Sequence, residues 1–305
     1  MKKYLIILLF VAIVLIGFAL LRKSNTKPNT STKLHVTASF YPLYFFASQI
    51  GGDKTDVTNI TPASAEPHDY EPTTQDLVRI NQSTILILNG GKLEAWGDKI
   101  KDQLQGSNVL IVTTGEGLAN RQLEEEGKTI QDPHVWQDPL LAKKEVKRIE
   151  QALEKEDPKD AAYFQANETK LEKELDQLDA DYRKGLSSCQ KKDFVTSHAA
   201  FGYMAAQYGI NQIAISGVSP DEEPSAKKLT EVADLVKKEH ITVIFFETLV
   251  SPKLSETIAH ETGANAMVLD PIEGISEDDI KAGHTYLTVM RDNLANLQIA
   301  LQCNK

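Results

Sequence analysis

The sequence predicts an α/β protein of two lobes, each a parallel β-sheet flanked by helices, joined by one long connecting α-helix. Three observations carry this. From Lys33 onwards, short apolar, β-rich runs alternate with helical patterns. The alternation occurs twice, with four strand-like runs in each half. Between the two sets lies a stretch from Leu141 to Ser188 that is almost free of glycine. Strands alternating with helices at this spacing pair in parallel and are covered on both faces, so two such sets make two α/β domains.

In the first half the predicted strands are LHVTAS (34–39), TDVTNI (55–60), TILILN (84–89) and NVLIVT (108–113), with helical stretches such as YFFASQI, TQDLVRI and AWGDKIKDQLQ between them. The second half repeats the scheme with DFVTSH (193–198), NQIAIS (211–216), ITVIFFE (241–247) and NAMVLD (265–270). Its helices are AAFGYMAAQY, SAKKLTEVADLVKKE, SPKLSETIAHET and a final one over 277–302. The connector is broken once, at Pro158, and carries Leu171, Leu175, Leu178 and Tyr182 at helical spacing. Glu168, Glu172 and Asp176 oppose one another at four-residue intervals, so this helix needs packing rather than ion pairs to hold it. The resulting division is 1–32 signal or anchor segment and linker, 33–139 first lobe, 140–189 connecting segment and 190–305 second lobe.

A chain of 305 residues can supply two cores, and 41% hydrophobic with 25% charged residues is the balance of a soluble globular protein. The net charge of −10 leaves no basic stripe for phosphates, which argues against nucleic acid and is compatible with a cationic ligand. At the N-terminus an apolar run from Tyr4 to Leu21 is flanked by Lys2 and Lys3 and by Arg22 and Lys23. Its length lies between a long signal-peptide core and a short membrane span. No A-x-A site or nearby cysteine accompanies it, so the reading is an uncleaved export signal tethering the chain to the membrane, outside the cytoplasm. The Asn/Thr/Ser/Pro-rich residues 24–32 would be the flexible tether. Cys189 and Cys303 are either a disulfide or two free thiols.

Taken singly, a histidine in a Pro-rich turn is a loop residue. Three of them share something more. In open parallel sheets ligands bind beyond the carboxyl ends of the strands. His68 of SAEPHDYEPT follows the second strand, His134 of QDPHVWQDP follows the fourth, and His198 of DFVTSHAAFGY ends the fifth. LDPIEG, with Asp270 and Glu273, ends the eighth. If the two edges face each other, three imidazoles and a carboxylate meet in a four-coordinate site suited to Zn²⁺. His35, His240, His260 and His284 fall inside or before other elements and read as structural.

Together SFYPLYFFASQIGGD, EPHDYEPTTQD, DPHVWQDP, TSHAAFGYMAAQYGI, ISGVSPDEEPSAKKL and LDPIEG resemble the metal-binding solute-binding proteins of ABC transporters, and the zinc-uptake members above all. The resemblance implies two α/β lobes with a metal ion held between them and delivered to a cognate ABC permease. It implies His68, His134, His198 and Glu273 as ligands, with Asp270 or a water as alternatives for the fourth. Manganese-type members of the family carry a carboxylate where this chain has His198. Imidazole suits zinc and Mn²⁺ prefers oxygen, so zinc is expected, with manganese the alternative. Zinc-uptake members commonly insert a His-rich loop before the second histidine. Here that segment carries Glu124, Glu125 and Glu126 instead and reads as a solvated loop. In such a fold Cys189 precedes the first strand of its lobe, opposite the metal edge, and the final helix should bring Cys303 back to that edge, which favours a disulfide.

Other classes are weaker. A zinc hydrolase would need an open metal position and a base such as Glu66, Glu247 or Asp270, and no HExxH is present. No G-x-S-x-G occurs, and NGGK (89–92) is too short for a phosphate loop. A surface adhesin would fit the tether, but nothing in the sequence encodes its partner. Glu247, at the end of its strand, is either an exposed acid or a group orienting a ligating imidazole.

Overall fold

The computed structural model describes residues 33–304 except Ser64 and Glu126. Residues 1–32, which the sequence reading takes as a signal or anchor segment and linker, lie outside the described residues. Among the described residues no helix is long and apolar enough to cross a membrane.

All eight expected strands form. In the first half β1 (Leu34–Ala38), β2 (Thr55–Asn59), β3 (Ile85–Leu88) and β4 (Leu110–Thr113) make a parallel sheet in the order β2-β1-β3-β4. Its helices include α1 (Tyr41–Gly51), α2 (Thr74–Gln82) and α3 (Gly97–Gln103). The central strand Ile-Leu-Ile-Leu of β3 is buried along its whole length, as a parallel strand covered on both faces must be.

The polar segment before His134 differs from the solvated loop expected of it. It forms an antiparallel hairpin, β5 (Gln122–Glu125) with β6 (Lys128–Gln131), turning at Gly127 with φ 77°. Leu123 pairs with Ile130 on one face and Glu124 with Thr129 on the other, where the Thr129 hydroxyl donates to Glu124 at 2.7 Å. Glu126 itself lies outside the described residues.

Two helices follow, α4 (Pro139–Glu156) and α5 (Ala161–Leu186), separated by a tight turn at Pro158–Asp160. The 26 residues of α5 span about 39 Å at 1.5 Å per residue. Its buried face is the predicted stripe, Leu171, Leu175, Leu178 and Tyr182, extended by Phe164 and Leu186. The second half repeats the first with β7 (Asp193–Thr196), α6 (Gly202–Tyr208), β8 (Asn211–Ala214), α7 (Ala226–Lys238), β9 (Val243–Phe246), α8 (Lys253–Thr262) and β10 (Asn265–Val268). Its parallel sheet runs β10-β9-β7-β8, the same succession as the first sheet read from the other edge.

One apolar core runs through the connector. It links Val36 and Phe46 of the first half to Leu175 and Leu178 of α5, and on to Phe194 and Leu297 of the second. The final helix is shorter than expected. A five-residue α9 (Glu277–Lys281) stops before Gly283, whose φ is 91°, and α10 (Tyr286–Ala300) restarts from Thr285. Thr285 and Thr288 cap each other reciprocally there, satisfying two otherwise unpaired amides, and His284 falls in this break rather than in a helix. Helix α10 then returns across the sheet, and Cys303 is disulfide-bonded to Cys189, closing a separation of 114 residues.

Candidate metal site

Each candidate ligand is presented by a short loop at the carboxyl end of a strand, and each loop is fixed by its own hydrogen bonds. The loop after β2 carries His68. It is anchored downstream by the start of α2, where Thr73 and Asp76 form a capping box and the Tyr70 hydroxyl donates to Asp76 at 2.6 Å. The His68 amide donates to Glu66 Oε1 at 3.3 Å.

His134 follows the hairpin. Asp132 turns back on it, Oδ1 accepting both the His134 amide at 3.0 Å and its Nδ1 at 2.8 Å. The Asn89 side chain donates to Pro133 O at 3.0 Å, and Asp138 then caps α4 by accepting from the Leu140 amide at 2.8 Å. His198 leaves β7 under similar control. Its carbonyl accepts from Thr196 Oγ1 and from Gln212 Nε2, both at 2.8 Å, and Glu247 at the end of β9 accepts its amide at 3.1 Å and its Nδ1 at 2.7 Å.

Glu273 lies in the turn after β10. Asp270 holds that turn, accepting the Ile272 amide at 2.7 Å and the Thr248 hydroxyl at 2.7 Å, while Asn293 bonds both its amide and its carbonyl. Ile272 is driven to φ 60°, a conformation β-branched residues avoid, and is fully buried there. From the first half, Trp136 Nε1 donates to Pro271 O at 2.8 Å, and Gln137 Nε2 donates to the same carbonyl.

The four side chains converge. His68 Nε2 lies 3.3 Å from both His134 Nε2 and Glu273 Oε1. Nε2 of His134 is 3.1 Å from Glu273 Oε1 and 3.3 Å from His198 Nε2, and His198 Nε2 is 3.3 Å from Glu273 Oε1. Ligand atoms at the corners of a tetrahedron, each about 2.0–2.1 Å from a central ion, are about 3.3–3.4 Å apart. Five of the six edges therefore have the length a tetrahedral ion requires, and all four atoms lie within 4.8 Å of one another. Asp270 is spent on its own turn and is not among them; Glu273 is.

His134, His198 and Glu273 are buried, and His68 is the partly exposed member, with its side chain 7% exposed. Burial alone would suppress the charge of each imidazole. For His198 the carboxylates of Glu247 and Glu273 outweigh it and hold the pKa well above the ordinary value, and Asp132 with Glu273 raises His134 in the same way. His68 has no such second carboxylate, and burial keeps it low. Burial would raise Glu273, but the three imidazoles hold it well below the usual carboxylate range. Glu273 Oε2 is buried and without a hydrogen-bond partner.

Sequence reading found the four converging residues and nominated Glu247. It missed Asp132, whose signal was the D-P-H spacing that lets a carboxylate turn back onto the imidazole two residues later. It also missed the Trp136 and Gln137 donors, whose role depends on the other half of the chain.

Residues 36–300 match the sequence model of the ZnuA family, zinc-uptake complex component A, periplasmic. The chain belongs to this family. It is 36% identical to the high-affinity zinc uptake system protein ZnuA of Bacillus subtilis, over 91% of this chain and 92% of that protein. Among solved structures it resembles the Zn(II)-bound ZnuA-like domain of Streptococcus pneumoniae AdcA, with 38% identity, a TM-score of 0.77, and coverage of 88% of this chain and 99% of that one. It also resembles the laminin-binding protein Lmb of Streptococcus agalactiae, with 34% identity, a TM-score of 0.80, and coverage of 88% of this chain and all of that one. The ZnuA family is one of extracytoplasmic transport binding proteins rather than enzymes.

Proposed function

We propose that His68, His134, His198 and Glu273 together hold one Zn²⁺, which this protein captures outside the cytoplasmic membrane and hands to an ABC permease. The observation that carries the reading is the set of 3.1–3.3 Å spacings among three imidazole nitrogens and one carboxylate oxygen. Three nitrogens and one oxygen at tetrahedral spacing favour zinc over manganese, which prefers more oxygen ligands. The relatives support the same metal: the AdcA domain is described as Zn(II)-bound and the Bacillus subtilis protein as a zinc uptake component. All four directions around the ion are taken by protein atoms, which suits holding a cargo rather than activating a water.

The lobes of this reading are residues 33–139 and 190–305, joined by 140–189, and the N-terminal residues 1–32 serve as export signal and membrane tether. Because the core continues through α5, opening is small. Release begins at His68, the partly exposed ligand on a loop outside regular structure. The test is metal analysis of the purified full-length chain beside a His68→Ala/His198→Ala double variant. About one zinc per chain, lost in the variant, is expected; manganese instead would overturn the metal, and metal retained by the variant would overturn the site.

A second reading, adhesion, comes from the likeness to Lmb, described as a bifunctional protein with adhesin and metal-transporting activity. Binding of the full-length chain to immobilised laminin tests it, and no saturable binding would remove it.

A further inference from the structure

The hairpin β5–β6 meets the second half of the chain at a contact that adjoins two of the four proposed ligands. Tyr203, in the first turns of α6, leaves its own half and packs among Leu118, Ala119 and Val135 of the first. Its hydroxyl donates to Asp132 O at 2.9 Å and accepts from the Arg121 amide at 3.1 Å. These two backbone groups belong to the residues flanking the hairpin, which are themselves joined by the Asp132 amide to Arg121 O bond at 3.0 Å. The Arg121 guanidinium lies over the Tyr203 ring, 5.7 Å from its centroid, and 3.5 Å from Asp132 Oδ2.

At Gly202 the two halves are in close contact. A Cβ there would sit 2.8 Å from Arg121 Nε and 2.9 Å from Asp132 Oδ2, closer than real Cβ contacts allow. Next to this contact the halves separate around a groove of about 970 Å³, lined by Leu123 and Ile130 on the hairpin side and by Ala206 and Gln212 on the other.

We infer that Tyr203, seated against Arg121 and Asp132, is a positioning clasp that sets the spacing between His134 and His198 and so governs the rate of metal release. The inference rests on the ligand set proposed above. Asp132 stands two residues before His134 and bonds its Nδ1; Tyr203 stands five residues after His198. A hydroxyl bridging both sides of the hairpin base therefore ties the loop of one ligand to the helix that begins just after another. Any displacement of the hairpin base reaches His134 through Asp132. Tyr203 touches no ligand atom itself; it acts through Asp132 and the packing of Val135.

The test is stopped-flow release of zinc from the loaded full-length protein into excess chelator, together with the visible d–d spectrum of the Co²⁺-loaded form. The variants are Tyr203→Phe, which removes the bridging hydroxyl and keeps the ring, and Gly202→Ala, which drives a wedge against Asp132. Release about tenfold faster with an altered Co²⁺ spectrum is expected in both. Lys228→Ala, on the groove wall, and Val236→Ala, in the separate core beneath α7 of the second half, should leave the rate and the spectrum at the wild-type values. Wild-type release from both clasp variants overturns the inference, as does an unaltered Co²⁺ spectrum or equal acceleration by Val236→Ala. Failure of the ligand set would look different: the wild-type chain would not load one zinc, or His134→Ala would keep it.

Discussion

Glu247 grips His198 with both carboxylate oxygens, Oε2 at 2.7 Å from Nδ1 and Oε1 at 3.1 Å from the backbone amide. This leaves Nε2 as the free donor facing the other three ligands and fixes the ring against rotation. The same device recurs across the site with Asp132 and His134, so two of the three imidazoles are oriented by buried acids. Removing such a partner costs a metal site about 10–100-fold in affinity. Glu247→Ala should therefore weaken zinc binding by that factor, and Glu247→Gln, which can still accept from Nδ1–H, by less. Competition titration against a zinc chelator measures both. Equal, wild-type affinity in the two variants would mean that the carboxylate does not orient the ligand.

The raised pKa values of His134 and His198 make a prediction about pH. Their cause is the carboxylates, Asp132 and Glu273 for one and Glu247 and Glu273 for the other, prevailing over burial. A raised folded-state pKa means that these imidazoles keep their protons to higher pH than free histidine. Zinc needs the neutral nitrogen, so it must expel those protons. The affinity should fall as pH falls, by at least about tenfold between pH 7.5 and 5.5, and binding at pH 7 should release protons. Calorimetry in buffers of different ionisation enthalpy reads that release. Binding that is independent of both pH and buffer would contradict it.

The eight strands and the connector were legible because their signals are local. Ile85–Leu88 is apolar throughout, and Leu171, Leu175, Leu178 and Tyr182 mark one helical face whatever packs on it. The candidate ligands were legible for a topological reason: parallel strands fix which edge a loop occupies, which placed His68, His134, His198 and the turn of Asp270 and Glu273 without side-chain detail. The preference for Glu273 within that turn came from the family resemblance. What escaped was information held between distant segments. Gln122–Glu125 is polar and only four residues long, and its pairing with Lys128–Gln131 turns on one glycine. The break before α10 is capped by a Thr-x-x-Thr pair rather than the usual Ser/Thr-x-x-Glu, so it carried no familiar boundary mark. The contact of Tyr203 with Arg121 exists only once the two halves meet.

The Cys189–Cys303 disulfide ties the end of α10 to the segment before β7, on the side away from the ligands. Closing a loop this long restricts the unfolded chain, by about 3–5 kcal/mol in the chain-entropy account. Cys303→Ser should lower the melting temperature by roughly 5–10 °C and leave zinc stoichiometry at that of wild type. Differential scanning calorimetry with and without reductant checks the first part, since reductant should move the wild type but not the variant. Loss of zinc on reduction would show that the staple reaches the site.

Asp270 and Glu273 are three residues apart and both carboxylates, and the structure gives them opposite duties. Asp270 Oδ1 takes the Ile272 amide and Oδ2 the Thr248 hydroxyl, which holds Ile272 at φ 60° and turns Glu273 towards the imidazoles. Burial, resisted by those hydrogen bonds, moves the Asp270 pKa up to about 6, whereas the imidazoles hold Glu273 well below the usual carboxylate range. Asp270→Asn keeps an acceptor for the Ile272 amide, and the Thr248 hydroxyl can reverse to accept from the new amide. Zinc affinity should then stay within about threefold of wild type, because a hydrogen bond has been replaced by one of similar strength. Glu273→Gln removes the only anionic donor among the four and leaves three neutral imidazoles, so a loss of about 100-fold or more is expected. The two affinities, measured side by side, separate a residue that shapes the turn from one that holds the ion. If Asp270→Asn lost as much as Glu273→Gln, the fourth ligand would have to be reassigned to Asp270.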